Sequence, residues 1–320
     1  MSRKLILACA LLAAGYAHAQ SSYPNRPMRI IVPWPPGQAT DLVGRVLAQK
    51  FTEILGQPMI ADNRAGAGGT IGTDQAARAA PDGYTLLAAS SGPVSIAPLL
   101  QKVPYDTEKQ LAPVALAGRS PYILVSAPSV PAQTAPEFIK LLKAHPGKYT
   151  FGSSGAGATA HLVTEWFNSV AGVQALHVPF KGSAQSITEV MTGQVAYTLE
   201  TAAATLPMIR AGKLKAYGVS TEKGTTLAPE IPALAKVANL AGFDGAAWIG
   251  VMVPAGTPKP LVDRLASAMD KIMQIEDTRS KLNAVGIEVD YRPAEPFGRY
   301  LASEKARFTE IIKRGNIKIQ

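Results

Sequence analysis

A loop rich in small residues, at 149–161, has the residue types and spacing of an anion-binding site. A strand is predicted to enter this loop, and a helix is predicted to begin near its end. Gly155 and Gly157 let backbone N–H groups approach a ligand without a Cβ in the way, and Thr159 can cap the helix. The first turn of a helix offers unpaired N–H donors and a partial positive charge. The loop is therefore predicted to bind a small anion.

A second loop of the same kind lies near the N-terminus. The apolar segment 28–32 predicts a buried strand, the proline-rich segment 33–39 a loop, and Thr40 and Asp41 the start of a helix. Asp41 suits the first turn of a helix because a carboxylate there interacts favourably with the helix dipole, with or without a ligand. Trp34 either covers the protein core or lines a ligand site. Two helix N-termini are thus available for one ligand.

A dinucleotide cofactor is one alternative occupant of the first loop. Gly155, Gly157 and Ala160 match the glycine pattern of dinucleotide-binding folds. Those folds also need an acidic residue about 20 residues further on, at the end of the next strand, to bind the ribose. The chain has His177 and Val178 at that place. Dinucleotide binding is therefore not favoured, and no cofactor is predicted.

A secreted α/β serine hydrolase is the second alternative. The segment 152–156 is one residue away from the Gly-x-Ser-x-Gly motif, with Ser154 as the nucleophile. A catalytic serine needs a base within about 2.6–3.2 Å. His161 and His177 are the nearby candidates, but no histidine follows an acidic residue late in the chain, as that fold requires. The hydrolase hypothesis fails if both histidines lie away from Ser154 Oγ, and we predict that the protein is not an enzyme.

The composition of the chain argues against several other classes. Among 320 residues with a net charge of +9, the basic residues are scattered, which does not favour nucleic-acid binding. Cys9 is the only cysteine and the histidines lack ligand spacing, so no metal site is predicted. Residues 1–19 combine Arg3 and Lys4 with an apolar run and a small-x-small cleavage pattern, which predicts a signal peptide and export.

Strands and helices alternate along 28–89 and 122–219, which predicts two α/β units. Residues 247–320 begin with a strand and continue as three helical segments, so we expect this tail to pack back on the first unit. Lobe 1 would then be 20–120 plus 247–320, and lobe 2 would be 121–246. Each lobe is predicted to be a mainly parallel sheet flanked by helices. We expect the ligand in a cleft between the lobes, at the carboxyl ends of the strands.

An ordered set of motifs along the whole mature chain resembles the tripartite tricarboxylate transporter solute receptors, the TctC-like or Bug family. No single motif is decisive, but their order is specific. The motifs are Tyr-Pro-Asn-Arg-Pro at 23–27, Val-Pro-Trp-Pro-Pro-Gly at 32–37, Asn-Arg-Ala-Gly-Ala-Gly-Gly at 63–69, Pro-Asp-Gly-Tyr-Thr-Leu-Leu at 81–87, Gly-Ser-Ser-Gly-Ala-Gly at 152–157, His-Val-Pro-Phe-Lys-Gly at 177–182 and Pro-Ala-Gly-Thr-Pro at 254–258.

The resemblance implies a periplasmic receptor with a type II periplasmic-binding-protein fold, two lobes that close like a Venus flytrap on a ligand. The ligand would be a small organic mono- or dicarboxylate, aliphatic or aromatic. The receptor would deliver it to the membrane carrier subunits of a TctA/TctB-like transporter driven by an ion gradient. A monomer is expected.

The resemblance also implies that the two loops, 35–41 and 152–159, hold one carboxylate of the ligand through backbone groups, hydroxyls and ordered water. Hydroxyl contacts, glycine N–H donors and apolar walls are the roles expected of the site residues. The predicted ligand-binding residues are Trp34, Pro36, Gly37, Gln38, Thr40, Asp41, Ser90, Ser91, Ser153, Ser154, Gly155, Gly157, Thr159, Phe180, Lys181, Gly182 and Glu200.

Three residues depart from the family pattern. The family usually has a second glycine where this chain has Gln38, and Phe where it has Trp34. Glu200 stands where members often carry Asp, at the end of a predicted strand. Glu200 either pairs with a neighbouring loop or contacts the ligand, and Lys181 is either a surface lysine or a ligand contact. These departures leave the identity of the carboxylate open.

Overall fold

The residues described by the computed structural model, 23–315 and 317, form a ten-stranded sheet with one long strand through its middle. The predicted signal peptide lies outside the described residues. The strands are β1 Met28–Val32, β2 Met59–Asn63, β3 Thr85–Ser90, β4 Leu111–Ser126, β5 Thr150–Ser153, β6 Leu176–Pro179, β7 Tyr197–Thr201, β8 Lys215–Val219, β9 Ala246–Pro254 and β10 Glu288–Pro293.

Helices pack on the sheet and connect most of its strands. Among the described residues no helix is both long and apolar enough to cross a bilayer. The α-helices are α1 Ala39–Leu55, α2 Thr70–Ala77, α3 Ala97–Leu100, α4 Thr107–Gln110, α5 Ala135–Lys143, α6 Thr159–Ala171, α7 Ser183–Met191, α8 Ala202–Arg210, α9 Leu234–Val237, α10 Lys259–Gln274, α11 Glu276–Ala284 and α12 Ala294–Gly315.

Strand β4 divides the sheet into two halves. Its first part pairs with β9 and β10, and these strands with β1, β2 and β3 form half-sheet A. Its last part pairs with β7 and β8, and these strands with β5 and β6 form half-sheet B. The chain therefore has the α/β architecture with two lobes that the sequence predicts.

The two half-sheets are mixed, whereas we predicted mainly parallel sheets. Strand β1 pairs in parallel with β2 and β3, and β5 pairs in parallel with β6 and β7. All four partners of β4 run antiparallel to it. The parallel part of each half-sheet comes from the strand and helix alternation, and the antiparallel part comes from the shared strand and the tail.

Several helix ends follow from local sequence. Helix α1 ends at Gly56 because Gly56 adopts a φ of 72° and its N–H donates to the Thr52 carbonyl. Helix α5 begins with a pair of hydrogen bonds close to those of a capping box, with the second one residue before the N-cap. The Thr134 side chain accepts a hydrogen bond from the Glu137 N–H at 3.3 Å, and Glu137 Oε2 accepts one from the Gln133 N–H at 2.7 Å.

Each half-sheet has its own hydrophobic core. On half-sheet A, Phe51 of α1 and Met269 of α10 are fully buried against the strands. On half-sheet B, Phe138 of α5 and Phe167 of α6 are fully buried and contact Tyr197. Each buried side chain of this size contributes about 1.5–3 kcal/mol, so each core can hold its own lobe together.

The last helix, α12, packs against both lobes. Phe308 and Ile311 form one cluster with Ile96, which follows β3, and with Leu162 of α6. The cores therefore orient α1 and α6 so that each begins at the carboxyl end of a strand, β1 or β5. These two helix starts carry the two loops that the sequence singled out.

Candidate functional site

A small cavity lies between the two lobes at the start of α1 and α6. Its volume is about 30 Å³, which is room for a few water molecules at most. A larger groove of about 790 Å³ lies on the surface between residues 94–113 and α12, away from both predicted loops. The cavity is lined by Trp34, Gln38, Ala39, Thr40, Ser90, Ser91, Tyr122, Ser154, Thr159, Ser183, Glu200, Thr201, Ala247 and Ile249.

Both lobes contribute to this cavity, and contacts across it hold them together. Ser91 at the end of β3 and Thr159 at the start of α6 share a buried hydrogen bond of 2.8 Å between their hydroxyls. A Cβ atom at Gly182 would lie 2.7 Å from Gln38 Nε2 on the other lobe. The lobes are thus closed on one another, and they must separate to admit a solute larger than a few waters.

Thr159 does not cap α6, contrary to the prediction. The N-cap residue is Ala158, and no side chain provides a capping hydrogen bond there. The Thr159 hydroxyl bonds Ser91 instead, and it accepts no capping hydrogen bond from the first turn of α6. The first turn of α6 therefore keeps free backbone donors beside the cavity.

Asp41 organises the first loop from below and does not line the cavity. Its Oδ2 accepts hydrogen bonds from the Gly37 N–H at 2.9 Å and from Arg45 Nε at 3.1 Å. Its Oδ1 accepts one from Asn63 Nδ2 at 2.8 Å. Burial alone raises the pKa of Asp41, but the hydrogen bonds from Arg45, Asn63 and Gly37 outweigh burial and leave that pKa below its usual value. Asp41 therefore stays ionised and holds the loop in place.

The second loop is fixed by a stacked pair of histidines. A hydrogen bond of 2.7 Å joins Ser153 Oγ to His177 Nε2, and the Gly157 N–H donates to His161 Nδ1 at 3.2 Å. The two imidazole rings stack with centroids 3.8 Å apart. Burial, and then the neighbouring His161, lowers the pKa of His177 to about 3. His177 is neutral at physiological pH and serves as a hydrogen-bond partner of the loop.

The three glycine N–H groups predicted as ligand donors already have partners within their loops. Gly37 donates to Asp41, Gly155 to Ser153 Oγ at 3.2 Å, and Gly157 to His161. These glycines shape the loops because their φ values of 85°, 143° and 74° are ones that few other residues adopt. In this closed structure side chains of their own loops accept from all three N–H groups, and the role of the glycines as ligand donors stays a prediction.

The structure brings some predicted site residues to the cavity and leaves others behind. Trp34, Gln38, Thr40, Ser90, Ser91, Ser154, Thr159 and Glu200 line it. Ser153 is fully buried beneath the loop, Phe180 packs toward Gly152, and Lys181 is exposed. The predicted residues that do not line the cavity are Pro36, Gly37, Asp41, Ser153, Gly155, Gly157, Phe180, Lys181 and Gly182.

Sequence reasoning missed several lining residues. Thr201 is the last residue of β7 and Ser183 is the first of α7, so the rule that ligands bind at the carboxyl ends of strands could have found both. Tyr122 lies inside the long strand β4, where local sequence carries no such signal. Ala39, Ala247 and Ile249 are apolar lining residues that resemble ordinary core positions.

The geometry that the hydrolase alternative required is missing from the described residues. His177 bonds to Ser153 and His161 accepts from Gly157, so neither histidine forms a hydrogen bond with Ser154. Ser153 has a histidine partner but is itself fully buried, and a histidine with a pKa of about 3 is a poor general base. Neither serine is therefore set up for attack on a substrate.

Glu200 is the one ionisable carboxyl group among the cavity-lining residues. Its exposed fraction is 1%, and its Oε2 accepts a hydrogen bond from Ser183 Oγ at 2.8 Å. Its Oε1 has no hydrogen-bond partner, and neither has the buried Nε2 of Gln38. Burial raises the pKa of Glu200 to about 7, and the increase is limited first by the Ser183 hydrogen bond. The Thr201 N–H and Ser154 also limit it, but neither forms a hydrogen bond of normal geometry with Oε1. One acceptor and one donor are therefore unused at the site.

Replacing Glu200 with Gln is expected to remove a pH dependence from the stability of the ligand-free protein. Because its pKa is raised from 4.5 to about 7, the folded protein binds a proton more readily than the unfolded chain in that range. This contribution to stability is complete below the unfolded pKa and is lost as the pH rises through about 7, at up to about 1.4 kcal/mol per pH unit. Unfolding in denaturant at a series of pH values checks this, and parallel profiles for the two proteins would contradict it.

Comparisons with known proteins relate the whole chain to one group. A sequence profile described as the tripartite tricarboxylate transporter family receptor matches residues 43–317. The protein BugT of Bordetella pertussis is 33% identical over 325 residues, covering 100% of this chain and 99% of BugT. A UPF0065 protein from the tcbD–tcbE intergenic region of Pseudomonas sp. strain P51 is 33% identical, covering 92% of this chain and 88% of the relative.

Solved structures give the same result for the fold. R. palustris Rpa4515 with adipate has a TM-score of 0.88 and 28% identity, covering 92% of this chain and 99% of that one. MatC (Rpa3494) from Rhodopseudomonas palustris with bound malate has a TM-score of 0.84 and 30% identity, covering 91% and 100%. The periplasmic binding protein BugD has a TM-score of 0.86 and 31% identity, covering 93% and 100%. The two-lobed fold of periplasmic binding proteins is thus shared along nearly the full chain.

Proposed function

Since this chain belongs to the tripartite tricarboxylate transporter receptor family, whose members are periplasmic solute-binding proteins, we propose that it captures a small organic carboxylate between its two lobes. The observation that carries the proposal is the cavity itself, where two helix N-termini from different lobes meet among buried hydroxyl groups. Adipate and malate are bound in two solved structures of similar fold, which supports a carboxylate for this site as well.

The chemistry of the cavity supports binding of an anion without a basic side chain. The starts of α1 and α6 each contribute about 0.3–1 kcal/mol toward an anion, and up to about 2 kcal/mol when partly buried. Hydroxyls of Thr40, Ser91 and Ser154 add charge-assisted hydrogen bonds of about 1.5–3 kcal/mol each. Micromolar affinity corresponds to about 8 kcal/mol after entropy costs, which five or six such contacts reach near the upper end of these ranges.

We further propose that lobe 1 comprises 20–120 plus 247–320 and that lobe 2 comprises 121–246. The register of β4 supports this division, because Pro121 is the last residue that pairs with β9 and Tyr122 the first that pairs with β7. The lobes would then open about the two chain crossings. Export by the N-terminal segment 1–19, action as a monomer without catalysis, and delivery to TctA/TctB-like carrier subunits complete the proposal.

The ligand can be identified directly. The protein is purified without added solute, denatured, and the released small molecules are analysed by mass spectrometry. Thermal unfolding with a carboxylate panel then tests each candidate, because a ligand at 100 times its dissociation constant stabilises the folded state by about 2.7 kcal/mol. If nothing co-purifies and no carboxylate raises the unfolding temperature, the proposal is wrong.

Replacing Thr159 with Val is expected to weaken carboxylate binding about tenfold. The change removes the hydroxyl that bonds Ser91 across the lobes and leaves the Ser91 hydroxyl buried without a partner, a penalty of about 1–3 kcal/mol paid only in the closed, ligand-binding form. Thr164→Val is the matched control, because the Thr164 hydroxyl is equally buried but bonds the Ala160 carbonyl of its own helix. Isothermal titration should show weaker binding for the first variant alone.

A further inference from the structure

The charge balance of the cavity does not suit a simple carboxylate. Glu200 is its single ionisable carboxyl group, and no Lys, Arg or His is among the lining residues. A bound carboxylate at the helix starts would put a second negative charge into the same closed space. Buried charges are stable when they are paired with an opposite charge and hydrogen-bonded. An ionised Glu200 in the closed site therefore needs a positive charge, and the lining residues provide none.

The unused atoms indicate where that charge belongs. Glu200 Oε2 is occupied by Ser183, whereas Oε1 is buried without a hydrogen-bond partner. A donor from the solute is the missing partner. The buried Nε2 of Gln38, on the other lobe, is in turn an unused donor that a carboxylate would satisfy. The site thus presents donors on the side of the helix starts and one acceptor at the end of β7.

We propose that the solute of this receptor carries an ammonium group as well as its carboxylate, and that Glu200 Oε1 accepts a hydrogen bond from the ammonium group. This inference rests on the proposed function of carboxylate capture. Such a zwitterion brings one positive and one negative charge, so Glu200 is paired and the helix starts still receive an anion. Glu200 would then determine specificity among carboxylates.

Two other solute classes fit less well. A hydroxyl group could donate to Oε1, but it would leave an ionised Glu200 without a counter-charge. A second carboxylate could bind there only with a proton shared between the two acids, because two carboxylates within hydrogen-bond distance cannot both be ionised. An ammonium group provides both the hydrogen bond and the charge.

The pH dependence of binding separates the classes. The groups that face Glu200 are Ser183 of α7, Ser154 of the second loop, the Thr201 N–H and Tyr122 of β4, and none of these is charged near neutral pH. With a pKa of about 7 in the empty site, Glu200 must lose its proton to bind an ammonium group. Affinity for an amino carboxylate should then fall by up to about tenfold per pH unit below 7. Affinity for a dicarboxylate that needs the proton should instead be constant below pH 7 and fall as the pH rises above 7.

The test uses solutes matched in length. Titration calorimetry with the wild-type protein compares β-alanine with 3-hydroxypropionate and succinate, and 4-aminobutyrate with 4-hydroxybutyrate and glutarate. We expect an amino carboxylate to bind at least tenfold more tightly than its two partners. Glu200→Gln should lower the affinity for the amino carboxylate at least tenfold and change the affinities for the hydroxy acid and the diacid little. Glu230→Gln, which removes the same charge from an exposed position in the proposed lobe 2, should leave all of these affinities unchanged.

Each outcome decides something. If carboxylates bind but the hydroxy acid or diacid binds as well as the amino carboxylate, or if Glu200→Gln retains full affinity, the ammonium inference is overturned and the receptor proposal stands. If no carboxylate of any class binds the wild-type protein, both are overturned. Should Glu200→Gln fold poorly, the pH dependence of the wild-type affinity decides alone, and tighter binding of the preferred solute at acidic pH contradicts the inference.

Discussion

Gly286→Ala is expected to destabilise the folded protein by about 2–5 kcal/mol. Gly286 follows α11 with a φ of 79°, a conformation that costs a residue with a side chain about 1–2 kcal/mol. A Cβ atom there would lie 2.3 Å from the backbone N of Ala203 and 2.4 Å from its Cα, and these backbone atoms cannot rotate away. Overpacking of this kind adds about 1–3 kcal/mol. The added Cβ atom therefore causes both the conformational cost and the cost of the clash.

The position of Gly286 gives this substitution a second consequence. Gly286 belongs to the tail that packs on half-sheet A, and its carbonyl accepts a hydrogen bond from Ser120 Oγ of β4 at 2.9 Å. Ala203 is in the first turn of α8, which packs on half-sheet B. A displaced turn would therefore change how the two lobes meet, and we expect the affinity for the solute to fall as well.

A matched control separates the clash from the backbone conformation. Gly193 has a φ of 78°, almost the same as Gly286, but a Cβ atom there would meet nothing within 4 Å. Gly193→Ala should therefore cost only about 1–2 kcal/mol. Denaturant unfolding of both variants without ligand measures the two effects. Equal losses would mean that the close approach of Gly286 to α8 does not hold in solution.

Asp41→Ala is expected to cost about 3 kcal/mol of stability and to weaken solute binding. The change leaves the Gly37 N–H, the Asn63 amide and the Arg45 guanidinium without their shared acceptor. Hydrogen bonds to a buried charged group are worth about 1.5–3 kcal/mol each, and removal of one partner of a buried pair costs about 3–5 kcal/mol. Arg45 is half-exposed and can be hydrated, which keeps the expected loss at the lower end of that range.

The control for Asp41 is an ion pair of the same spacing at the surface. Asp74 pairs with Arg78 four residues later at 2.7 Å, but both side chains are partly exposed and Asp74 accepts from no loop amide. Asp74→Ala should cost less than about 1 kcal/mol and leave binding unchanged. Because the pKa of Asp41 is lowered, its contribution is present above the ordinary carboxyl pKa and is lost as the pH falls below it. Equal losses at neutral pH for the two variants would contradict the role of Asp41 in the loop.

The local elements of the fold were predictable because their signals lie within a few residues. Strand β1 has the predicted limits, Gly56 ends α1, and Thr134 and Glu137 cap α5. The first part of β4 was missed because Pro113 and Pro121 argue against a strand. Strand β10 was missed because its alternating polar and apolar residues are only partly buried beside β4.

The candidate site divides along the same line. Both loops, their order and their position at the ends of β1 and β5 follow from the sequence, and the family resemblance follows from the order of its motifs. The partners of the loop N–H groups do not follow. His161 and His177 were weighed as catalytic bases, yet they stack beneath the loop and hold Ser153 and Gly157.

The sequence by itself determined the family, the α/β class and the two loops that carry helix N-termini, because strand periodicity, caps and glycine turns act over a few neighbouring residues. Only the tertiary structure decided which groups reach the cavity. Trp34 bonds Ser90 across 56 positions and Ser91 bonds Thr159 across 68, distances in sequence over which no local pattern specifies a partner. The two loops place the starts of α1 and α6 at the cavity. The unpaired Oε1 of Glu200 is the atom for which we propose a hydrogen-bond donor on the solute.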